Sequence, residues 1–319
     1  MSVKIRHLDT FIEVARQRSI QKAATALHIS QPAVTKTMRE LEREVGGALY
    51  EKDGRGIRIT AQGELFLQYA GASMVALRRG LDALRGSPHG LGPAIRVGAL
   101  PTVSSAVMPR AVAALLAERP TARVRVVTGE NRVILKQLEV GELDVVVGRL
   151  AAPELMRGLT FELLYFETVR FVVAPGHPLL RAANSIFESL AEYVVLLPTP
   201  DAVIRPSVDR YLTAHGVTRL PRIVETVSDA FARAFLRSNE AVWIISAGVV
   251  ANDLADGRLV ALPLEAQETQ GPVGLTMRAD VQASPEVELM LKTIRSACAA
   301  SSGSGVALTP EMARDRPMA

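Results

Sequence analysis

The sequence predicts a multidomain α+β protein: a small N-terminal winged helix-turn-helix, one long helix, and a larger two-lobed α/β unit. Three observations predict it. Apolar residues recur at three and four positions up to about residue 85, whereas after residue 94 short β-branched runs alternate with helical stretches. Between them lies "GSPHGLGP" (86–93), a glycine- and proline-rich linker. The excess positive charge is confined to one end. Residues 1–90 hold 14 Lys+Arg against 9 Asp+Glu, and the rest of the chain holds 23 against 24. A basic segment on a near-neutral body suits a polyanionic partner.

The chain has 319 residues, 48% of them hydrophobic, enough for more than one buried core. Its one cysteine, Cys298, excludes an intrachain disulfide and a cysteine-rich zinc site, and suits a reducing compartment. "MSVKIRHLDTF" has no apolar signal core, and the longest apolar runs, "YVVLLP" and "AVWIIS", are of strand length. The expectation is a soluble cytoplasmic protein that does not enter the membrane.

In chain order, Leu8, Phe11, Ile12, Val14 and Ala15 carry the spacing of a first helix. "SIQKAATALHI" predicts a second, capped by Ser19, with Ala23, Ala24 and Leu27 inward. In "SQPAVTKTMRELEREVG", Val34, Met38, Leu41 and Val45 form the apolar stripe of a third, which Gly46-Gly47 ends. "ALYEKDGRGIRIT" predicts a hairpin turning at Asp53-Gly54. From Thr60 onward, Phe66, Ala70, Met74, Leu77, Leu81 and Leu84 follow a heptad-like spacing, a seam long enough to pair with another helix. Gly71 and Gly80 within it each cost about 1 kcal/mol relative to alanine, which close helix approach can offset.

The short "HIS" between the second and third helices is a helix-turn-helix spacing. Ser30 caps the third helix. Pro32 falls in its first turn, where amides have no intrahelical partner and a fixed φ helps. His28 occupies the tight turn and tolerates left-handed geometry. Gln31, Pro32, Thr35, Lys36, Arg39 and Arg43 lie off the apolar stripe, and Arg55 and Arg58 lie on the hairpin. Gln31, Thr35 and Lys36 have the chemistry to read base edges; the arginines suit phosphates. The alternative is a plain solvated face.

Beyond the linker, strands "AIRVGAL", "RVRVVTG" and "LDVVVGRL" alternate with helices over 105–119 and 131–140. "FVVAP", helix 185–191, "VVLL", helix 203–215, "RIVETV", helix 229–238 and "VWIIS" form a second set, and "VGLTM" with helix 284–298 closes the unit. The continuous apolar strands resemble those of parallel sheets covered on both faces. Ligands in such folds bind where strands end and helices begin. That rule selects Thr102, Ser104, Asn131 and Arg149 in one lobe, and Thr199, Ala202, Val203, Arg205, Ser228 and Ser246 in the other. Hydroxyls, free amides and two arginines suit a small carboxylate. Plain capping by Thr102, Ser104 and Ser228 is the alternative for those positions.

The stretch "FIEVARQRSIQKAATALHISQPAVTKTMRELEREVGGALYEKDGRGIRITAQG" resembles the DNA-binding region of LysR-type transcriptional regulators. Phe11, Ala23-Ala24, Leu27, the run Ser30-Gln31-Pro32-Ala33-Val34, Leu41-Glu42, Gly46, Leu49, Thr60 and Gly63 carry the likeness. Thr35, Tyr50 and Lys52 depart from the usual serine, phenylalanine and arginine but keep the chemistry. The resemblance spans nearly the whole chain. It implies residues 1–60 as the DNA-binding domain, 61–93 as dimerisation helix and hinge, and 94–299 as an effector domain like periplasmic binding proteins. Lobe 1 would take about 94–165 and 272–299, lobe 2 about 166–271, and 300–319 would be a flexible tail. It further implies promoter DNA and RNA polymerase as partners, and a homodimer or homotetramer through the 61–85 helix and the effector domain. The strings "RVGALPTV", "GENRVILKQLEVGELDVVVGRL" and "FVVAPGHPL" most resemble the family's activators of protocatechuate catabolism, and then its sugar-responsive regulators of transport. The first implies a carboxylated muconate or muconolactone as coinducer.

Enzymatic function is not expected. The sequence has no G-x-S-x-G, H-E-x-x-H, P-loop or G-x-G-x-x-G string. His7, His28, His89, His177 and His215 lack metal-ligand spacing, and no cofactor is expected. An enzyme using the α/β cleft, or a ligand carrier, is the competing class. A carrier would not need the helix-turn-helix.

Overall fold

The first 60 residues fold into three helices and a hairpin: α1 (Ile5–Gln17), α2 (Ile20–Ala26), α3 (Gln31–Val45), β1 (Tyr50–Asp53) and β2 (Gly56–Ile59). This is seen in a computed structural model that describes residues 2–54, 56–85, 94–181, 185–279 and 281–302. The expected caps form. Ser19 Oγ accepts the Lys22 amide at 3.3 Å, and Ser30 Oγ accepts the Ala33 amide at 3.4 Å. His28 takes the left-handed conformation that closes the turn, with φ 55°. Gly46 ends α3 at φ 76°, and its amide donates to the Glu42 carbonyl. Phe11, Val14, Val34, Met38, Leu41 and Leu49 are wholly buried together. The hairpin pairs Tyr50 with Ile59 and Asp53 with Gly56.

The long helix α4 (Ala61–Arg85) starts where Thr60 Oγ1 accepts the Gly63 amide at 3.0 Å. The first half of its seam packs within the chain. Phe66 packs on Phe11 with ring centroids 5.5 Å apart, and Ala70 and Met74 are buried within the chain itself. Gly71 lies against Val140, where an added Cβ would come within 2.9 Å of the valine Cα, so this glycine permits a close approach. Gly80 has open space around it. Among the described residues, the large apolar side chains that α4 leaves exposed are Leu65, Tyr69 and Leu81. The Leu84 side chain, the 86–93 linker and Arg55 lie outside the described residues.

The rest forms two five-stranded sheets. The first contains β3 (Ile95–Ala99), β4 (Val124–Val127), β5 (Val145–Arg149), β6 (Leu159–Glu167) and β12 (Gly271–Arg278), in spatial order β4-β3-β5-β12-β6. α5 (Pro101–Ser104), α6 (Val107–Glu118), α7 (Asn131–Glu139) and α12 (Pro285–Ser302) surround it. The period of two explains this layering. Val145 and Val147 pack with Leu115 and Met290 of α6 and α12, while Val146 packs with Ile134 and Leu138 of α7.

The second sheet contains β7 (Val169–Val173), β8 (Val194–Leu197), β9 (Ile223–Glu225), β10 (Ala241–Ser246) and β11 (Val260–Ala261), in order β11-β7-β10-β8-β9. With it come α8 (Ile186–Ser189), α9 (Arg205–Ala214), α10 (Asp229–Ser238) and α11 (Ala247–Ala255). β10 is buried along its whole length, with Trp243 1% exposed.

Two expectations are corrected. The sheets are mixed rather than purely parallel: β12 runs antiparallel to β5 and β6, and β7 antiparallel to β10 and β11. The reason is the double crossing. β6 leads into β7, and the return at β12 enters the first sheet against its neighbours. The helix expected over 105–119 is α6, and the short α5 precedes it. α12 continues to Ser302, past the expected start of the tail at 300; residues 303–319 lie outside the described residues. Among the described residues, no helix is long and apolar enough to cross a membrane.

Leu41 joins α3 to the helical core with no exposed surface. Leu41→Ala is expected to destabilise the N-terminal unit by about 2–5 kcal/mol. Urea denaturation followed by circular dichroism checks this. A change below about 1 kcal/mol would mean that α3 is not held by this stripe.

Candidate nucleic-acid interface and inter-lobe cleft

The buried stripe of α3 decides what the helix shows outward. Gln31, Pro32, Thr35, Lys36, Arg39 and Arg43, with Glu40, line one open concave surface. Gln31, Pro32, Lys36, Arg39 and Arg43 are exposed, and Thr35 is half-buried. Thr35 Oγ1 donates to the Gln31 carbonyl at 3.1 Å, so its outward chemistry is a methyl group and an acceptor lone pair. That pair can meet a thymine methyl or a base amino group. Glu40 is held by Arg6 at 3.1 Å, which keeps its charge from facing the surface alone. On the hairpin, Arg58 lies 2.9 Å (Nε) and 2.8 Å (Nη2) from Glu51, so part of its charge is already paired.

A cavity of about 440 Å³ opens between the two sheets. Thr102, Ser104, Asn131, Arg149, Thr199, Ala202, Val203, Ser228 and Ser246 all line it, and Arg205 does not. Arg205 is turned to other work: Nη1 reaches the Pro198 carbonyl at 2.8 Å and Glu225 at 2.6 Å, and Nε reaches Asp209 at 2.8 Å. It ties the start of α9 to the edge strand β9. A lone arginine at a helix start gives no sign in the sequence of which acid will claim it.

Helix starts face the cavity, because the strands of both sheets end there. Asn131 begins α7, Ser228 caps α10 by accepting the Phe231 amide at 3.2 Å, and Ser246 precedes α11. Such termini present amides without intrahelical partners. Asn131 Nδ2 and Oδ1, Thr199 Oγ1, Ser246 Oγ and Arg149 Nε are buried without a hydrogen-bond partner. Buried polar groups are normally satisfied, so this cluster marks a place built to meet something polar. The floor is apolar, with Leu100, Trp243, Ile245 and Val249.

Arg149 brings the cation. It is 7% exposed, and burial lowers its pKa from the ordinary value. Nη2 donates to the Glu167 carbonyl at 2.8 Å and Nη1 to the Thr269 carbonyl at 3.2 Å, so most of its fork is committed to backbone. Sequence reasoning missed several wall residues. Thr128, Thr226 and Asp201 follow the same strand-end rule and were findable. Trp243 and Ile245 sit inside a continuous apolar strand, which gave no hint that one face opens on a cavity.

Because the Asn131 amide has no partner, replacing it by leucine should relieve a buried polar group. Asn131→Leu is expected to raise the melting temperature by about 2–4 °C, equivalent to about 1 kcal/mol. Differential scanning calorimetry of the full chain checks this. An unchanged or lower value would mean that the amide is already satisfied in solution.

Two family profiles match the chain. The bacterial regulatory helix-turn-helix protein, lysR family, matches residues 5–64, and the LysR substrate binding domain matches residues 88–299. The HTH-type transcriptional regulator PcaQ of Agrobacterium fabrum is 57% identical over 295 residues, which covers 92% of this chain and 95% of that protein. The regulator GbpR of Azospirillum brasilense is 23% identical, covering 92% and 86%. A full-length OxyR point variant from Pseudomonas aeruginosa superposes with a TM-score of 0.60 at 21% identity, covering 92% of this chain and 98% of that one, a likeness of fold. The third helix with its outward polar face, the two lobes around a polar-walled cavity, and these matches along the chain agree: the protein belongs to the LysR family of DNA-binding transcriptional regulators.

Proposed function

We propose that this regulator binds a small carboxylate in the inter-lobe cleft and activates an aromatic-acid, protocatechuate-type catabolic operon in response. The observation that carries the reading is the set of buried, unpartnered polar atoms of Asn131, Thr199 and Ser246 at strand ends and helix starts around one cavity, together with 57% identity to PcaQ. Effector contacts would come from Thr102, Ser104, Asn131, Arg149, Thr199, Ala202, Val203, Ser228 and Ser246. A ligand that prefers one arrangement of the lobes shifts their equilibrium, and the regulator's hold on promoter DNA changes with it. On this reading the protein works in the cytoplasm, in contact with RNA polymerase, and uses no catalytic residue.

On the DNA side, Gln31, Pro32, Thr35 and Lys36 would read bases, while Arg39, Arg43 and Arg58 would hold phosphates. Residues 1–60 would act as the DNA-binding unit, 61–93 as the linker and 94–299 as the effector unit. Leu65 and Tyr69, one turn apart on α4, and Leu81 nearer its end are exposed and give a dimer, or a pair of dimers, apolar contacts to use.

A neutral sugar is the second reading. Glu130, Asp201 and Asp229 also line the cavity and can accept bonds from sugar hydroxyls. Melting curves of the full chain with a panel of small carboxylates and sugars separate the two, because a ligand that binds only the folded state raises the melting temperature. A gain with sugars alone would overturn the carboxylate reading.

Thr35→Ala with Lys36→Ala is expected to weaken binding to the promoter by roughly 10–100-fold while weakening random DNA far less, since a good base contact is worth about 1–3 kcal/mol. Mobility shifts at two salt concentrations check this. Equal losses on both DNAs would make these side chains phosphate anchors only.

A further inference from the structure

Behind the cleft wall lies an ion pair that is not closed. Arg149 comes from the end of β5 and Glu167 from the end of β6, where the chain leaves the first sheet for the second. Arg149 Nε stands 3.7 Å from Glu167 Oε2, beyond hydrogen-bond range, and each atom is buried without a hydrogen-bond partner. The other Glu167 oxygen, Oε1, accepts the Gly248 amide at the start of α11, in the second lobe. Arg149 lines the cavity and Glu167 sits behind it, so the one arginine faces the ligand space on one side and a buried carboxyl on the other.

Two anions sharing one buried cation cannot both keep their charge cheaply. We propose that anion binding in the cleft is proton-linked: an anion that engages Arg149 is accompanied by a proton taken up on Glu167. Glu167 is thus a positioning residue, acting on the ligand through Arg149. The inference rests on the carboxylate reading of the cleft given above.

The groups facing the Glu167 carboxyl are few. Arg149 approaches from β5, and the Gly248 amide and Ser246 hydroxyl from the start of α11. Tyr165 lies on β6 itself; burial, with the Glu167 charge, pushes its phenol so far up that it stays neutral. Burial pushes Glu167 up to about 7, against the opposing pull of Arg149 and the Gly248 amide. Both forms are therefore populated near neutrality, and a second anion at Arg149 tips the balance to the protonated one. The sign is set by linkage. A carboxyl whose folded pKa lies above its unfolded 4.5 contributes stability at low pH, and that contribution is lost as pH rises toward about 7. Anion affinity follows the same direction, falling by up to about tenfold per pH unit above neutrality.

The test uses the full chain as wild type and as Glu167→Gln, which keeps an oxygen for the Gly248 amide and holds the neutral state. Without ligand, the melting temperature of wild type relative to Glu167→Gln should fall between about pH 5 and 7.5. Parallel profiles overturn the inference. With a carboxymuconate as probe, the melting gain of wild type should be larger at pH 6 than at pH 8, and that of Glu167→Gln the same at both. An equal gain in wild type at both pH values overturns the inference and leaves the carboxylate reading standing. No gain at any pH, beside a Glu167-dependent slope without ligand, overturns the carboxylate reading and this inference with it. Should Glu167→Gln fail to fold, calorimetry on wild type alone decides. Titrations in phosphate and in Tris at pH 7.5 should show roughly half a proton or more taken up per probe bound. None taken up overturns the proposal.

Discussion

The guanidinium of Arg149 holds the two crossing strands together. One nitrogen donates to the carbonyl of Glu167, where β6 leaves the first sheet, and another to the carbonyl of Thr269, just before β12 returns. The Thr269 hydroxyl in turn accepts the Val169 amide at the start of β7, so one buried side chain and one buried hydroxyl fasten this part of the joint. The lobes also meet where α5 touches α11. There the Ser105 hydroxyl donates to the Gly248 carbonyl at 3.2 Å, and the Ser105 carbonyl accepts the Asn252 side-chain amide at 3.0 Å. A joint built on a few such bonds suits a hinge. The same arginine faces the cavity, so what enters the cavity meets the joint directly.

The N-terminal unit depends on a different constraint, the placement of one helix start. In the interior of a helix a proline such as Pro32 would break the run. In the fold it follows Ser30, whose hydroxyl takes a first-turn amide, and it occupies a position where no intrahelical bond is lost. Behind it, Val34, Met38 and Leu41 are anchored in the core, so the rotation of α3 about its axis is fixed. The outward set of Gln31, Thr35, Lys36 and Arg39 follows from that rotation and from nothing else.

The α4 helix shows how packing redistributes a pattern. The seam of Phe66, Ala70 and Met74 reads equally well as a face for another chain or for this one, since periodicity specifies a face and not its partner. Here it meets α1 and the end of α7, and Gly71 makes the approach to Val140 close enough. The ion pair between Lys136 of α7 and Glu64 of α4, at 3.6 Å, lies on the same contact. The linker helix is thereby joined to the first lobe at the far end of the helix that begins with Asn131 in the cavity.

Much of this protein was legible in the sequence because it depends on local physics. Caps, turn geometry, the stripe of α3, the hairpin and the alternation of strands and helices all arise from residues within a few positions of each other. The rule that ligands meet strand ends and helix starts was also local, and it gathered all but one of the expected cleft residues. What only the tertiary structure decided concerns pairs distant in sequence. Arg205 went to Asp209 and Glu225 instead of the cavity, the first half of the α4 seam turned inward, and β12 came back antiparallel. Above all, Glu167 gave no local signal: an acid at the end of an amphipathic strand reads as surface. Burial beside Arg149 and the Gly248 amide, 18 and 81 residues away, gives it its chemistry, and that follows only from how the two lobes close on each other.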